Sequence, residues 1–260
     1  MIELPLRRPG YRPELLEPRL PRALSWWPVS RALHEALYRD RLEDYEVYRQ
    51  TVESMAGTSA HVLDLGAGRG ANWPLNLRGR VARVIGVDVS DDVLLNPHLD
   101  EAHVFDGERM EFLESASVDL VCARYVAEHL RDPGPLLREV RRVLRVGGSF
   151  VLLTPNARHY VPVLATTLGR RCQHLVAKLR GLEVRDSFDT NYQLNTPGDI
   201  DRHARAAGFS KVEVHLFENQ PSYLSFHPLL FAAGALYERL VNGTELLRER
   251  RGSILARLIA

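Results

Sequence analysis

The chain has 260 residues, of which 45% are hydrophobic and 26% are charged, with 34 Lys and Arg against 33 Asp and Glu. This composition is too apolar for intrinsic disorder and supplies enough apolar residues for a large core. The formal net charge of +1 disfavours a dedicated nucleic-acid binder, which usually carries a strongly basic surface.

The only two cysteines, Cys122 and Cys172, are too few for a structural zinc site or a disulfide framework. We therefore expect no metal and a reducing compartment. The N-terminus lacks the apolar run and cleavage site of a secretory signal. No stretch of ~18 apolar residues occurs, so we expect a cytoplasmic protein without a transmembrane segment, with a peripheral membrane contact left open.

Five prolines within the first 22 residues predict an extended arm. Apolar and aromatic residues then recur at three- and four-residue steps from about Ser30 to Met55, and this spacing predicts a helix. We interpret residues 1–56 as an arm and a helical lid that precede a domain at 57–260. The aromatic candidates for covering a ligand are Trp26, Trp27, Tyr38, Tyr45 and Tyr48.

From residue 61 onward, short β-branched or apolar runs alternate with helical segments. This alternation predicts buried strands in a mostly parallel sheet with helices on both faces. The predicted strands are 61–65, 81–89, 101–106, 117–123, 147–155, 211–217 and 253–259. One helix is predicted at 134–144, and another begins at Pro197 between the capping residues Thr196 and Gly208.

Two stretches interrupt the alternation, at about 156–195 and 219–251. Structureless segments of this length are improbable inside a compact domain, so we interpret both as helical cap insertions. The second contains the apolar run Tyr223–Val241. A cap core, a partner subunit and a lipid surface all stay open as what this run contacts.

The first predicted strand carries Asp64 near its end and leads into the glycine-rich turn 66–70, which we expect to open a helix. Glycines let the backbone approach a ligand closely. The spacing is G-x-G-x-G instead of the dinucleotide pattern G-x-G-x-x-G, and Asp64 would repel a phosphate but suits an ammonium group. A nicotinamide dehydrogenase is thus a distant alternative, and a tight turn without a ligand is another.

Acidic residues also end the second and third predicted strands. Asp88 comes about twenty residues after the glycine turn, where a carboxylate can accept hydrogen bonds from both ribose hydroxyls; a helix cap is the alternative. Asp106 ends the third strand and is followed by Gly107, where an adenine amino group could be bound. Because open α/β sheets bind ligands at the carboxyl ends of their strands, the three acidic residues predict a ligand site at one sheet edge.

These segments resemble the class I S-adenosylmethionine-dependent methyltransferases, particularly the branch with the ubiquinone and menaquinone biosynthesis enzymes. The resemblance extends from about Ala60 to Pro155 and rests on VLDLGAGRG, VIGVDVS, FDGERMEF and the run from SVDLVCAR to FVLLTPN. It implies a Rossmann-like, mostly parallel sheet of seven strands with the last strand antiparallel. It also implies S-adenosyl-L-methionine as cofactor and a small-molecule acceptor, which we expect to be methylated on a hydroxyl.

By position in these motifs, the resemblance assigns cofactor contacts to Asp64, Gly66, Ala67, Gly68, Asp88, Val89, Asp106, Gly107, Ala123 and Arg124. The quinone O-methyltransferases carry Glu-x-x-Glu-His after the fourth strand, and some hold a metal with it. Here the run 125–129 is Tyr-Val-Ala-Glu-His, so we expect no metal dependence. His129 is the candidate general base, because an unperturbed imidazole has a pKa of ~6.5; a histidine that only bonds backbone is the alternative.

Residues just beyond the fifth strand and near the returning helix are candidates for acceptor contacts, namely Asn156, His159, Tyr160 and Tyr192. Arg31 and Arg49 are candidates for contacting the cofactor carboxylate. Two alternatives to O-methylation stay open. One is N- or C-methylation of a lipid-linked or other acceptor, and the other is a scaffold that binds the cofactor without catalysis. The sequence makes no prediction of oligomeric state.

Overall fold

A computed structural model of the chain describes residues 27–71, 75–105, 109–164, 167 and 190–260. Several predictions made above fall outside these residues. They concern the proline-rich arm, Trp26, Asp106, Gly107, Cys172 and most of the first cap insertion.

Seven strands form one sheet in the order β3-β2-β1-β4-β5-β7-β6. The strands are β1 (His61–Leu65), β2 (Arg83–Asp88), β3 (Glu101–Val104), β4 (Val118–Arg124), β5 (Leu144–Pro155), β6 (Lys211–Phe217) and β7 (Ser253–Ile259). Neighbours from β3 to β5 pair in parallel, whereas β7 is antiparallel to both β5 and β6. The predicted Rossmann-like fold class is confirmed.

Helices cover both faces of the sheet. Five α-helices lie wholly within the described residues, namely α1 (Trp27–Tyr38), α2 (Asp44–Met55), α3 (Pro133–Val143), α4 (Pro197–Ala206) and α5 (Pro228–Gly243). Residues 160–164 are also helical. Leu63 packs in the core that includes α3 and α4, whereas Val62 packs in the core that includes α2. Because side chains alternate along a strand, Asp64 shares the α2 face with Val62.

The single helix predicted from about Ser30 to Met55 is wrong, because the chain turns between α1 and α2. The second helix begins where the Glu46 carboxylate accepts a hydrogen bond from the backbone N–H of Glu43 at 3.3 Å. α1 packs instead against α5, where the rings of Tyr38 and Phe231 meet edge to face at 5.8 Å.

The helix predicted to open at the glycine turn is also wrong for the residues described on either side of 72–74. Residues 66–71 and 75–80 form turns and irregular backbone. Asn76 and Gly79 adopt left-handed conformations, with φ of 45° and 76°, and such residues interrupt a right-handed helix.

Smaller differences lie at element ends and in the second predicted insertion. β5 begins at Leu144, directly after α3, without the predicted gap. α5 and the 3₁₀ segments Ser222–Leu224 and Glu245–Arg250 occupy much of 219–251. None of the helices in the described part of the chain combines the length and apolarity needed to cross a bilayer.

Leu137 tests the α3 side of the core, because its side chain is fully buried there. Leu137→Ala is expected to lower the free energy of unfolding by about 2–5 kcal/mol, through lost apolar burial and the cavity left behind. Leu246 is 94% exposed and is the matched control; Leu246→Ala should change the value by less than about 0.5 kcal/mol. Urea denaturation measures both, and equal losses would contradict this packing.

Candidate active site

The carboxyl ends of β1, β2 and β4 meet at one edge of the sheet. β1 lies between the other two strands, with Leu65 opposite Val87 on one side and Ala123 on the other. The charged residues at these ends, Asp64, Asp88 and Arg124, are therefore close together, and their charges act on one another.

The glycine turn is fastened to the end of β2 by hydrogen bonds. The backbone N–H groups of Gly66 and Ala67 donate to the carbonyl of Val87 at 2.8 and 3.1 Å. The Asp88 carboxylate accepts from the N–H of Gly68 at 2.9 Å and of Ser90 at 3.0 Å. This carboxylate is therefore fixed in orientation at the sheet edge.

The turn requires glycine for a steric reason at Gly66. Its φ is +73°, in the left-handed region, and a Cβ atom there would lie 2.4 Å from Cγ2 of Val126. The loop after β4 thus packs against bare backbone.

Asp64 is a partly buried acid near the end of β1. Burial raises the pKa of its carboxyl group from 3.8 to about 7, and the charge of Asp88 adds to the increase. The Arg124 guanidinium and a hydrogen bond from the Cys122 thiol act in the opposite direction on this pKa. Such an acid favours a cation as its neighbour.

A small cavity of about 40 Å³, the glycine-turn cavity, lies beside Asp64 and Gly66. Tyr48 of α2 also lines it, and its hydroxyl is buried without a hydrogen-bond partner among the described residues. Arg124 forms a further part of the wall.

A larger cavity of about 510 Å³, the tyrosine pocket, begins on the other side of Arg124. Its lining includes the five tyrosines Tyr45, Tyr125, Tyr160, Tyr192 and Tyr223. It also includes the four acidic residues Glu43, Asp44, Glu128 and Glu218.

Two of these carboxyl groups have raised pKa values. Asp44 accepts hydrogen bonds from Asn219 at 2.7 Å and from Ser253, and Glu128 accepts one from Thr154 at 3.0 Å. Burial is the largest cause of the raised pKa of both Asp44 and Glu128. Neither has an arginine or lysine ion-pair partner within the described parts of the chain.

The predicted acceptor contacts are divided by the structure. His159, Tyr160 and Tyr192 line the tyrosine pocket. Asn156 is fully buried and donates instead to the carbonyls of Glu249 and Arg251, at 2.8 and 2.7 Å. It fixes a loop.

His129 is not among the residues that line either cavity, whereas its neighbour Glu128 lines the larger one. The His129 carbonyl accepts a hydrogen bond from Asn191 at 2.9 Å. The sequence favours His129 as the general base, whereas the structure places Glu128 in the pocket wall and so brings forward a different acid–base candidate.

The other residues predicted to contact the cofactor are exposed, buried in the sheet or paired within their own helices. Val89 is exposed after β2, and Ala123 is buried in β4. Arg31 pairs with Glu35 and Arg49 with Glu53, each one turn along its own helix. No three or more His, Cys, Asp or Glu residues in the described parts of the chain are grouped to hold a metal ion.

Sequence reasoning missed Asp44 and Glu218. A signal existed for Glu218, because it directly follows β6 and is thus a fourth acidic residue beside the carboxyl end of a strand. Asp44 gives no such signal, since only folding brings the start of α2 to Ser253, 209 residues away.

Comparison with known proteins decides the family. A sequence profile described as a methyltransferase domain matches residues 38–214. The chain belongs to the class I S-adenosylmethionine-dependent methyltransferases. This membership confirms the predicted enzyme class and the predicted cofactor, S-adenosylmethionine.

Two relatives show the range of similarity. The methyltransferase is 36% identical over 129 residues to a probable S-adenosylmethionine-dependent methyltransferase of Mycolicibacterium smegmatis, covering 47% of this chain and 48% of that protein. It is 26% identical over 219 residues to a ubiquinone biosynthesis O-methyltransferase of Hydrogenovibrio crunogenus, covering 80% and 81%. The chain thus matches about half the length of the first relative.

A solved structure agrees in fold. The S-adenosylmethionine-dependent methyltransferase from Mesorhizobium loti superposes with a TM-score of 0.53 at 18% identity, covering 81% of this chain and 96% of that one.

The residues at the sheet edge fit the cofactor. Its amino-acid end carries an ammonium group, and Asp64 is a partly buried acid whose charged form a cation stabilises. Its ribose carries hydroxyl donors, and Asp88 presents fixed carboxylate oxygens.

The charges around Asp64 give a testable ordering of pKa values. Arg124→Gln should raise the pKa of Asp64 above about 7, because a cation that lowers it is removed. Asp88→Asn should lower it, because a nearby negative charge is removed. Carboxyl-detected NMR titration of the three proteins measures the order, and a wild-type pKa near 4 would contradict the burial described here.

Proposed function

We propose that this methyltransferase transfers the methyl group of S-adenosylmethionine to a small molecule bound in the tyrosine pocket. The observation that carries the proposal is that Arg124 lines both cavities, so they meet at the carboxyl end of β4. An in-line displacement needs the two reactants face to face and shielded from water. The glycine-turn cavity of about 40 Å³ has room only for part of the cofactor, so the nucleoside would lie along the sheet edge beside Asp88, with the acceptor in the tyrosine pocket.

The glycine-turn side would hold the cofactor. Asp64 would pair with the ammonium group, and the backbone of Gly66, Ala67 and Gly68 would lie against the amino-acid end. Asp88 would accept from the ribose, since each of its oxygens uses only one backbone N–H and keeps a lone pair free. Val89 and Ala123 flank these contacts, and the adenine contacts of Asp106 and Gly107 stay a prediction from the motif. When bound, the cofactor supplies a methyl group activated by positive sulfur.

The acceptor side must take up a proton. A hydroxyl acceptor, expected from the sequence, is supported by the ubiquinone O-methyltransferase among the relatives. Glu128 is suited to accept its proton, because it is buried in the pocket wall and burial raises its pKa. His129 is the second candidate.

Cofactor binding should depend on pH through Asp64. Because its raised pKa leaves it largely protonated below pH 7, the affinity for S-adenosylhomocysteine should rise roughly fivefold to tenfold between pH 6 and 7.5. Isothermal titration calorimetry measures this. Asp64→Asn should bind weakly with a flat pH profile, whereas Asp88→Asn should bind weakly with a rise that is shifted to lower pH, because the pKa of Asp64 falls. A flat wild-type profile would contradict the role of Asp64.

Catalysis is tested with methyl-labelled S-adenosylmethionine and a panel of phenols, alcohols, carboxylic acids and amines. Label should appear in at least one acceptor, and Glu128→Gln should lower kcat for it by about 10²–10⁴-fold while S-adenosylhomocysteine affinity is retained. His129→Ala should lower kcat much less than Glu128→Gln does, since His129 lines neither cavity and influences the pocket through the effect of its charge on the pKa of Glu128.

A larger loss of kcat in His129→Ala than in Glu128→Gln would instead assign the role of general base to His129. Tight S-adenosylhomocysteine binding with no labelled product from any acceptor would contradict catalysis and favour a cofactor-binding scaffold.

A further inference from the structure

We infer that the tyrosine pocket selects a positively charged organic amine, an inference that rests on the proposed function of this cavity as the acceptor site. Three independent observations point to this ligand class. They are a wall rich in carboxylates, a buried histidine nitrogen with no hydrogen-bond partner among the described residues, and a set of neutral aromatic rings.

The charges of the pocket wall are unbalanced. Four carboxyl groups line it, against the guanidinium of Arg124 among the described residues. That guanidinium lies over the rings of Tyr45 and Tyr125, with its central carbon 5.1 and 5.9 Å from their centroids. Glu128 and Glu218 are only 6% and 7% exposed, and the basic group beside Glu218 is the His159 imidazole, 3.3 Å away. Buried carboxylates that no cation balances are destabilising. A ligand cation would supply the missing charge.

His159 provides the second observation. Its Nε2 atom is buried and has no hydrogen-bond partner among the described residues. The nearby Glu218 carboxylate is 3.3 Å away, but the two groups are not aligned for a hydrogen bond. Buried polar atoms are rarely left unpaired, so this atom marks a place for a ligand.

Nε2 of His159 and the Glu218 carboxylate are 3.3 Å apart, so an ammonium group placed beside them in the pocket would reach both. It would donate one N–H to the Glu218 carboxylate and a second to Nε2 of His159. Nε2 of His159 accepts in the tautomer that has its proton on Nδ1, and the competing contact, from the backbone N–H of Val161 to Nδ1, is long at 3.5 Å.

The tyrosines add a surface that suits a cation. Burial raises the pKa of Tyr160 and Tyr192, so both rings stay neutral at physiological pH. Neutral aromatic faces attract ammonium groups, whereas a carboxylate or phosphate ligand would meet like charges on the wall. A volume of about 510 Å³ is that of a small organic molecule and far exceeds that of a metal ion.

The test is calorimetry on the full chain saturated with S-adenosylhomocysteine, using matched probes. The pairs are phenethylamine with 2-phenylethanol and 3,3-dimethylbutylamine with 3,3-dimethyl-1-butanol, and phenylacetate is the anionic probe. Each cation should bind at least about tenfold more tightly than its neutral partner, and phenylacetate should bind least.

Glu218→Gln should remove most of the preference for the cation, at least about tenfold, because it retains an acceptor for the Gly252 N–H while losing the charge. Asp44→Asn is the second variant, in case the first does not fold. Asp201→Asn is the matched control, since Asp201 lies on α4 outside the pocket and pairs with Arg205. It should leave the preference unchanged.

Equal binding of the members of both pairs, binding by neither, or an unchanged preference in Glu218→Gln and Asp44→Asn would overturn the inference. S-adenosylhomocysteine binding in the same samples distinguishes failure of the amine inference from failure of the proposed function. If it binds and neutral acceptors are methylated, only the amine inference fails; if it does not bind, the proposed function itself fails.

Discussion

The parallel pairing of β1 with β4 is the contact on which the site depends. Its register puts Leu65 opposite Ala123, so Gly66, the first residue after β1, lies beside Arg124, the last residue of β4. One begins the glycine turn, and the other forms the wall shared by the two cavities. A shift of one residue in this register would turn Asp64 to the opposite face, away from α2 and from both cavities.

The second constraint is a set of carboxyl groups whose pKa values are raised in the folded state. These groups link the stability of the fold to the binding of ligands. Because Asp64 has a folded pKa of about 7 against an ordinary 3.8, its ionisation disfavours the folded state progressively as pH rises from about 4 to 7. Asp44 and Glu128 have pKa values raised in the same direction. Ligand cations at the two cavities would offset these costs. The methyltransferase is thus less stable unliganded than an apolar wall would make it, a cost often found at functional sites.

Features that depend on residues close together in the chain could be predicted from the sequence. Strand positions follow from β-branched runs, and Asp64 and Asp88 follow from their places at strand ends. The break before α2 had a local signal, the Glu43–Glu46 spacing of a capping box, which the longer apolar period obscured. The tyrosine pocket has no such signal, because α2, the loop after β4 and the segment after β6 meet only in the folded chain. The spacing of acidic residues along the sequence therefore could not predict which carboxylates line this pocket.

The most direct test of the account is a crystal structure of the methyltransferase with S-adenosylhomocysteine. The ligand's ammonium nitrogen should lie within about 3.2 Å of the Asp64 carboxylate, and its ribose hydroxyls should contact Asp88. Its sulfur should face the tyrosine pocket beside Arg124. A ligand seated elsewhere, or one whose sulfur points away from that pocket, would contradict the two-cavity arrangement.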